Sequence, residues 1–193
     1  MHERVQFIGL AESDFPELQA FWPLLEAELP DVLEALILHS SKVPTAARHL
    51  RGIEDKFRAS QALQWQAMFK GEFDAIYFKM TEKIGHSRYQ SGFEPHRFIG
   101  SYATSLNLLV GVAMLKYRRK PVCLKAITKA IQKALILDMV IAMSIYYEEA
   151  AAERTALVRE VSAEVSTGLA SLVDDITGQT AKLYHAAQSL LLK

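Results

Sequence analysis

The sequence has a single cysteine, Cys123, in 193 residues, which excludes an internal disulfide framework. Net charge is missing too, since 22 basic side chains stand against 22 acidic ones. Nucleic acid and acidic membrane surfaces are therefore not expected as partners, because both call for an excess of Lys and Arg. Long hydrophobic runs are absent: the most apolar stretch, Ala134 to Ile145, is too short to span a bilayer and carries Asp138. The opening Met-His-Glu-Arg-Val holds no apolar signal core, so a cytoplasmic location with no membrane span is expected. Breakers are scarce, with 9 glycines and 6 prolines, which argues against a sandwich or barrel and for long helices. No phosphate-cradling glycine loop, catalytic carboxylate pair or nucleophile elbow occurs, and no enzyme is expected.

What is present reads as helices punctuated by proline. Ser13-Asp14-Phe15-Pro16-Glu17 is a start signal followed by Leu18, Phe21, Trp22, Leu25 and Leu29 at helical spacing. Pro23 is expected to kink this helix and Pro30 to start a second, short one, with a loop over 39–44. One helix is predicted from Thr45 to Lys70, ended by Gly71, and another from about Phe73 that fades near Ser91-Gly92. Glu94-Pro95 starts the next, which runs to the basic turn Lys116–Lys120, read as a solvated interhelical turn. Pro121 opens the last helix, with no breaker before Gly168, and no strand is predicted.

Beyond about Glu153 the apolar pattern narrows. Leu169, Ile176, Leu183 and Leu190 recur every seven residues, with Val165, Leu172, Gln179 and Ala186 on the complementary spacing, a coiled-coil seam weakened by Gln179 and Gly178. The expected division is a domain over 1–152 and a signalling helix or connector over 153–193. The seam is still running at the last residue, so the chain is expected to be a fragment of something longer. The helices of about 95–118 and 121–152 are apolar on most sides. Such helices must be covered all round, and a homodimer built as a four-helix bundle from both is the economical cover.

Met68-Phe69-Lys70-Gly71-Glu72-Phe73-Asp74 and Gly92-Phe93-Glu94-Pro95-His96-Arg97-Phe98-Ile99-Gly100-Ser101-Tyr102 resemble two elements of the globin-coupled sensors, whose input domains are protoglobin-like. The likeness covers roughly residues 15 to 150, and the second element is its specific part. It implies an all-α globin-like fold, a dimer through a four-helix bundle, haem b, and an output module such as a chemotaxis receptor's signalling domain. The tail is similar to the helix leading into such a domain, which would be absent from this chain.

The resemblance also exposes a departure. Counting from Gly71 and from Gly92 by the family's spacing, the haem-ligating histidine position falls on Arg88 both times. Arginine is a poor iron ligand because its guanidinium stays protonated and has no lone pair to give. His86 lies two residues earlier, about 200° around an ideal helix. The family's Phe-Tyr pair on the first long helix is Phe21-Trp22 here, and Ser60 stands where some relatives carry a distal Thr. The implied pocket thus comprises Phe21, Trp22, Phe57, Ser60, Phe69 and Arg88. Two readings remain. The altered ligand position favours a sensor without haem, its pocket filled by side chains or holding an apolar ligand such as a fatty acid. The alternative is a haem-based gas sensor with His86 as iron ligand. A globin-fold dimerisation module that senses nothing is a third.

Other candidates read as structural. His2, His39, His49, His86, His96 and His185 lack the close spacing of a zinc site, and His96 reads as a surface residue. Cys123 reads as a small core hydrophobe and Glu148-Glu149 as a solvated face. Asp138, costly if buried unpaired, is expected at a rim, against a helix partner or at a subunit interface.

Overall fold

The structure, a computed structural model, describes residues 2–92 and 94–191. Phe93 and the side chains of His2, His185, Ala186 and Leu190 lie outside the described residues. Among the described residues seven α-helices follow one another: α1 (His2–Ile8), α2 (Phe15–Ser41), α3 (Pro44–Leu50), α4 (Glu54–Phe69), α5 (Ala75–Gln90), α6 (Pro95–Tyr117) and α7 (Pro121–Leu191). Among the described residues there is no strand, and the chain is all-α as the scarcity of breakers implies.

Three boundaries differ from the sequence reading. α2 continues through Pro23 and Pro30 as one helix of 27 residues. Each proline removes one backbone hydrogen bond, but both are exposed, so the carbonyls left over one turn earlier need only water. Thr45 to Lys70 is two helices, because Gly52 takes a φ of +80° that L-residues avoid and so separates α3 from α4. α1, and a 3-10 turn at Glu12–Asp14, precede the first helix the pattern reveals. Asp14 in that turn is bound by Lys133 Nζ of α7 at 2.9 Å.

Two compact units divide the chain, Met1–Tyr147 and Glu148–Lys193. In the first, α2 packs on α3, α4 and α6, and α4 on α5. The core gathers Leu18, Phe21 and Leu25 of α2, Trp65 and Met68 of α4, Leu109 and Ala113 of α6, and Ile127, Ile131 and Leu137 of α7. α6 has the length and mean hydropathy (1.6) of a membrane-crossing helix, but Phe98, Ser105, Leu109, Val112 and Ala113 are buried against its neighbours. Cys123 is exposed rather than in the core, being in the first turn of α7.

The second unit is the remainder of α7, which passes through Gly168 and Gly178 without a break. Residues 150–183 are all exposed. They include Leu157, Val158, Val161, Val165, Leu169, Leu172, Val173, Ile176 and Leu183.

Candidate functional site

The inward face of α5 is set by spacing. Tyr77, Thr81 and Gly85 are its buried residues, four apart, and Arg88 follows three later on the same face. Asp74 fixes the start of this helix by accepting the backbone N–H groups of Ile76 and Tyr77 at 3.0 and 2.9 Å. At Gly85 the helix approaches α7 closely, and a Cβ there would lie 2.5 Å from Ile145 Cδ1, so that side chain would have to shift. His86, one residue on, points elsewhere and is exposed.

α4 presents Phe57, Gln61, Gln64, Trp65 and Met68 at the same helical period. α6 contributes Phe98, Tyr102 and Ser105, and α7 contributes Leu135 and Asp138. These faces meet at Asp138, which is only 2% exposed and lies against helix partners in the core, one of the three placements expected of it, rather than at a rim. Its burial is tolerable because four side chains donate to it. Gln64 Nε2 reaches both carboxylate oxygens at 2.9 Å, Tyr77 O–H donates at 2.7 Å, Thr81 at 3.2 Å and Tyr102 at 2.5 Å. One carboxylate thereby ties α4, α5 and α6 to α7. Burial pushes both tyrosine phenols well above their ordinary range, and the neighbouring Asp138 charge adds to the effect. For Tyr102 the nearby Arg88 charge opposes it.

Beside this node is a cavity of about 100 Å³. Leu36, Leu50, Ile53, Phe57, Trp65 and Leu135 form its apolar wall; Ser40, His49, Gln61, Arg88, Ser91, Ser101, Tyr102 and Ser105 form the polar one. Arg88 Nη2 donates to Gln61 Oε1 at 3.3 Å, and its guanidinium carbon lies 4.8 Å from the centre of the Phe98 ring. Among the described residues no carboxylate forms an ion pair with it. Gln61 Nε2 in turn donates to Gln64 Oε1 at 3.2 Å. A directional chain therefore runs from the Arg88 cation through two amides to the Asp138 anion.

Of the residues expected at the pocket, Phe57 and Arg88 line the cavity. Phe21, Trp22 and Phe69 are buried in the adjoining core, the Phe21 and Phe69 rings 5.5 Å apart. Ser60 turns back to its own helix, donating to the Phe57 carbonyl at 3.0 Å. Gln61, Gln64, Trp65 and Asp138, which complete the site, were not expected there. Tyr102 closes the second family-like element, so a signal for it existed.

The first unit is an all-helical domain whose helices pack round a pocket of mixed polarity, an arrangement that a globin-like fold has. Comparison with known proteins agrees: the pattern of the Protoglobin family matches residues 1–152, and the chain belongs to that family. Among solved structures it is similar to the globin domain of a globin-coupled sensor from Geobacter sulfurreducens. The two are 18% identical, the TM-score is 0.70, and the match covers 76% of this chain and 97% of the other. No match is found among curated proteins.

A haem needs an axial donor facing the cavity, a His nitrogen, a Cys or Met sulfur or a Tyr oxygen. No Cys or Met is among the described lining residues, and the Tyr102 hydroxyl is engaged by Asp138. Arg88 faces the cavity and has no lone pair to give. His86 is exposed, and both ring nitrogens of the cavity-lining His49 are 2.7 Å from main-chain oxygens, those of Thr45 and Ser91. The volume, about 100 Å³, lies below the roughly 300–1,000 Å³ typical of drug-sized ligand sites. The residues present do not fit an iron porphyrin. Among the described residues no group of three His, Cys, Asp or Glu side chains is placed to hold a metal ion either.

Proposed function

We propose that this chain is the sensory input domain of a cytoplasmic signal transducer of the chemoreceptor kind, responding to a small molecule other than haem. The observation that carries the reading is Arg88, a cation in the cavity wall at the position where the globin sensors place their iron ligand. An input that engages Arg88 draws on Gln61, then Gln64, then Asp138. Asp138 belongs to α7, so a changed hydrogen bond in the cavity reaches the helix that carries the apolar stripe of residues 157–183. Signalling then needs two packings of α7 close in energy and a ligand that prefers one of them.

The output arrangement follows from uncovered apolar surface. Ile99, Met114 and Leu115 of α6 and Val122, Ile136 and Tyr147 of α7 are exposed, which supports a homodimer through the helices of about 95–118 and 121–152. Residues from about 153 then serve as the connector to a signalling module. Neither catalysis nor a membrane span belongs to this reading. Static and dynamic light scattering across a dilution series is expected to show a dimer; monomer at every concentration removes that part.

The cofactor question is settled by a spectrum. Protein expressed with haem supplied and then purified is expected to show no Soret band. A Soret band that disappears in His86→Ala would establish the haem-based gas sensor in place of this reading.

A further inference from the structure

The geometry points to a specific ligand class: a small organic carboxylate with an apolar body about the size of a benzene ring, its carboxylate held by Arg88 in the cavity between α2, α4 and α6. The inference rests on the reading of this domain as a non-haem sensor and names what enters its pocket. Three observations carry it.

The first is the contrast between two charged side chains. Asp138 has four donors around its carboxylate. Arg88 offers five N–H donors, yet among the described residues its side-chain hydrogen bonds are one long contact to Gln61 at 3.3 Å and one with the Tyr102 hydroxyl, and its guanidinium carbon lies 4.8 Å from the centre of the Phe98 ring. A cation held over a ring face keeps its remaining N–H groups able to donate. A half-buried cation in that state gains most from an anion that can accept two parallel bonds, which a carboxylate does. The second is sign: among the described residues of the cavity wall Arg88 is the only permanently charged one, and none is Asp or Glu. The third is shape. Much of the remaining wall is apolar, with Leu36, Leu50, Ile53 and Phe57. The volume of about 100 Å³ is of the order of the roughly 150 Å³ engineered cavity that accommodates benzene. A long-chain fatty acid does not fit in that volume, which narrows the apolar ligand expected from sequence to a short or aromatic acid.

The test is calorimetric titration of the purified 193-residue chain with benzoate, with benzamide as its neutral near-isostere and with inorganic phosphate as the bare anion. Benzoate is expected to bind one per chain and at least about tenfold more tightly than benzamide, the difference that a charge-assisted pair provides. Arg88→Gln should bring the two ligands to equal affinity, and Arg88→Lys should keep a preference for benzoate of smaller size, since the charge remains without the planar fork. Thermal melts show whether each variant is folded, and the benzoate–benzamide comparison in the unaltered chain needs no variant at all. Equal affinity for benzoate and benzamide, unchanged benzoate binding in folded Arg88→Gln, phosphate binding as tight as benzoate, or no binding of benzoate each overturns the inference. These outcomes are separate from the haem spectrum: absence of both a Soret band and benzoate binding defeats this inference alone, whereas a His86-dependent Soret band defeats the non-haem reading beneath it.

Discussion

α7 is one helix with two different reasons to exist. Between Pro121 and Tyr147 it is held by packing: Ile127, Ala130, Ile131, Ala134, Leu137, Ile141 and Ile145 are buried, and Asp138 is enclosed by donors from α4, α5 and α6. Between residues 150 and 183 every side chain is exposed, and what supports helix there is local preference alone, with seven Ala and four Leu set against four Val, four Thr and two Gly. Helix in water gains most of its stability from an apolar face that is covered. The first stretch has its cover inside this chain, while the second displays a comparable set of Leu, Val and Ile to solvent. The difference teaches that one continuous helix can owe its first part to a core and its second to local preference alone.

The sharpest way to break this comparison is to strike the packed half at its polar centre. Asp138→Ala is expected to cost roughly 3–5 kcal/mol in urea-induced unfolding, because Gln64, Tyr77, Thr81 and Tyr102 would each lose their buried acceptor. A cost below about 1 kcal/mol would mean that the four helices are not tied at this node. Next comes a pure packing change: Ile131→Ala removes a fully buried side chain and should cost about 2–4 kcal/mol in the same assay through lost burial and the cavity left behind.

Alkaline pH tests the node without any mutation. Tyr77 and Tyr102 have phenols held well above their ordinary range by burial and the neighbouring Asp138 charge. In the unfolded chain they ionise near pH 10. Above that pH the unfolded state binds fewer protons than the folded one, so the stability these phenols contribute is complete below about pH 10 and is lost as pH rises toward their folded values. The urea midpoint should therefore fall between pH 9 and pH 11, and fall less in the Tyr77→Phe, Tyr102→Phe double variant. Equal slopes in the two proteins would remove the phenols from the account.

How far the sequence reveals all this differs between the same two regions. The packed half was legible as fold, because proline starts, capping residues and three-to-four spacing are local signals that predict α5, α6 and the start of α7 within a few residues. Its site was only half legible. Arg88 could be placed from two motif anchors, since its position depends on helical register alone. Asp138 could not, because whether a carboxylate is at a rim or in a core depends on four donors drawn from residues 64 to 102, and no local pattern announces their meeting. Gly52 was passed over for a related reason: a single glycine inside an apolar period is neutral until the chain around it turns. Cys123 misled through its residue type, which is usually buried, while its place in the first turn of α7 exposes it. In the second half of α7 the seven-residue recurrence is visible in the sequence, yet what covers it is not, since a periodic stripe specifies a kind of partner surface and not where that surface comes from.

The smallest expected effect on stability is therefore also the one that most directly separates the halves. Ile176 is 55% exposed, against 0% for Ile131, the same residue type on the same helix. Ile176→Lys should alter the unfolding free energy of the domain by less than about 0.5 kcal/mol, because no packed contact of the first unit is touched. Its effect should appear instead in association. If the stripe pairs with the stripe of a second copy, a lysine at a seam position introduces a charge that must be desolvated or splayed outward, and self-association of the tail weakens. Sedimentation equilibrium of the variant beside the unaltered chain reads that change, with a fragment of residues 1–152 as the reference for association through the domain alone. Weaker association of Ile176→Lys with unaltered unfolding places the cover of the stripe in a partner copy. Lost domain stability would instead show that the stripe is already part of the folded core, and the two halves of α7 would no longer differ in kind.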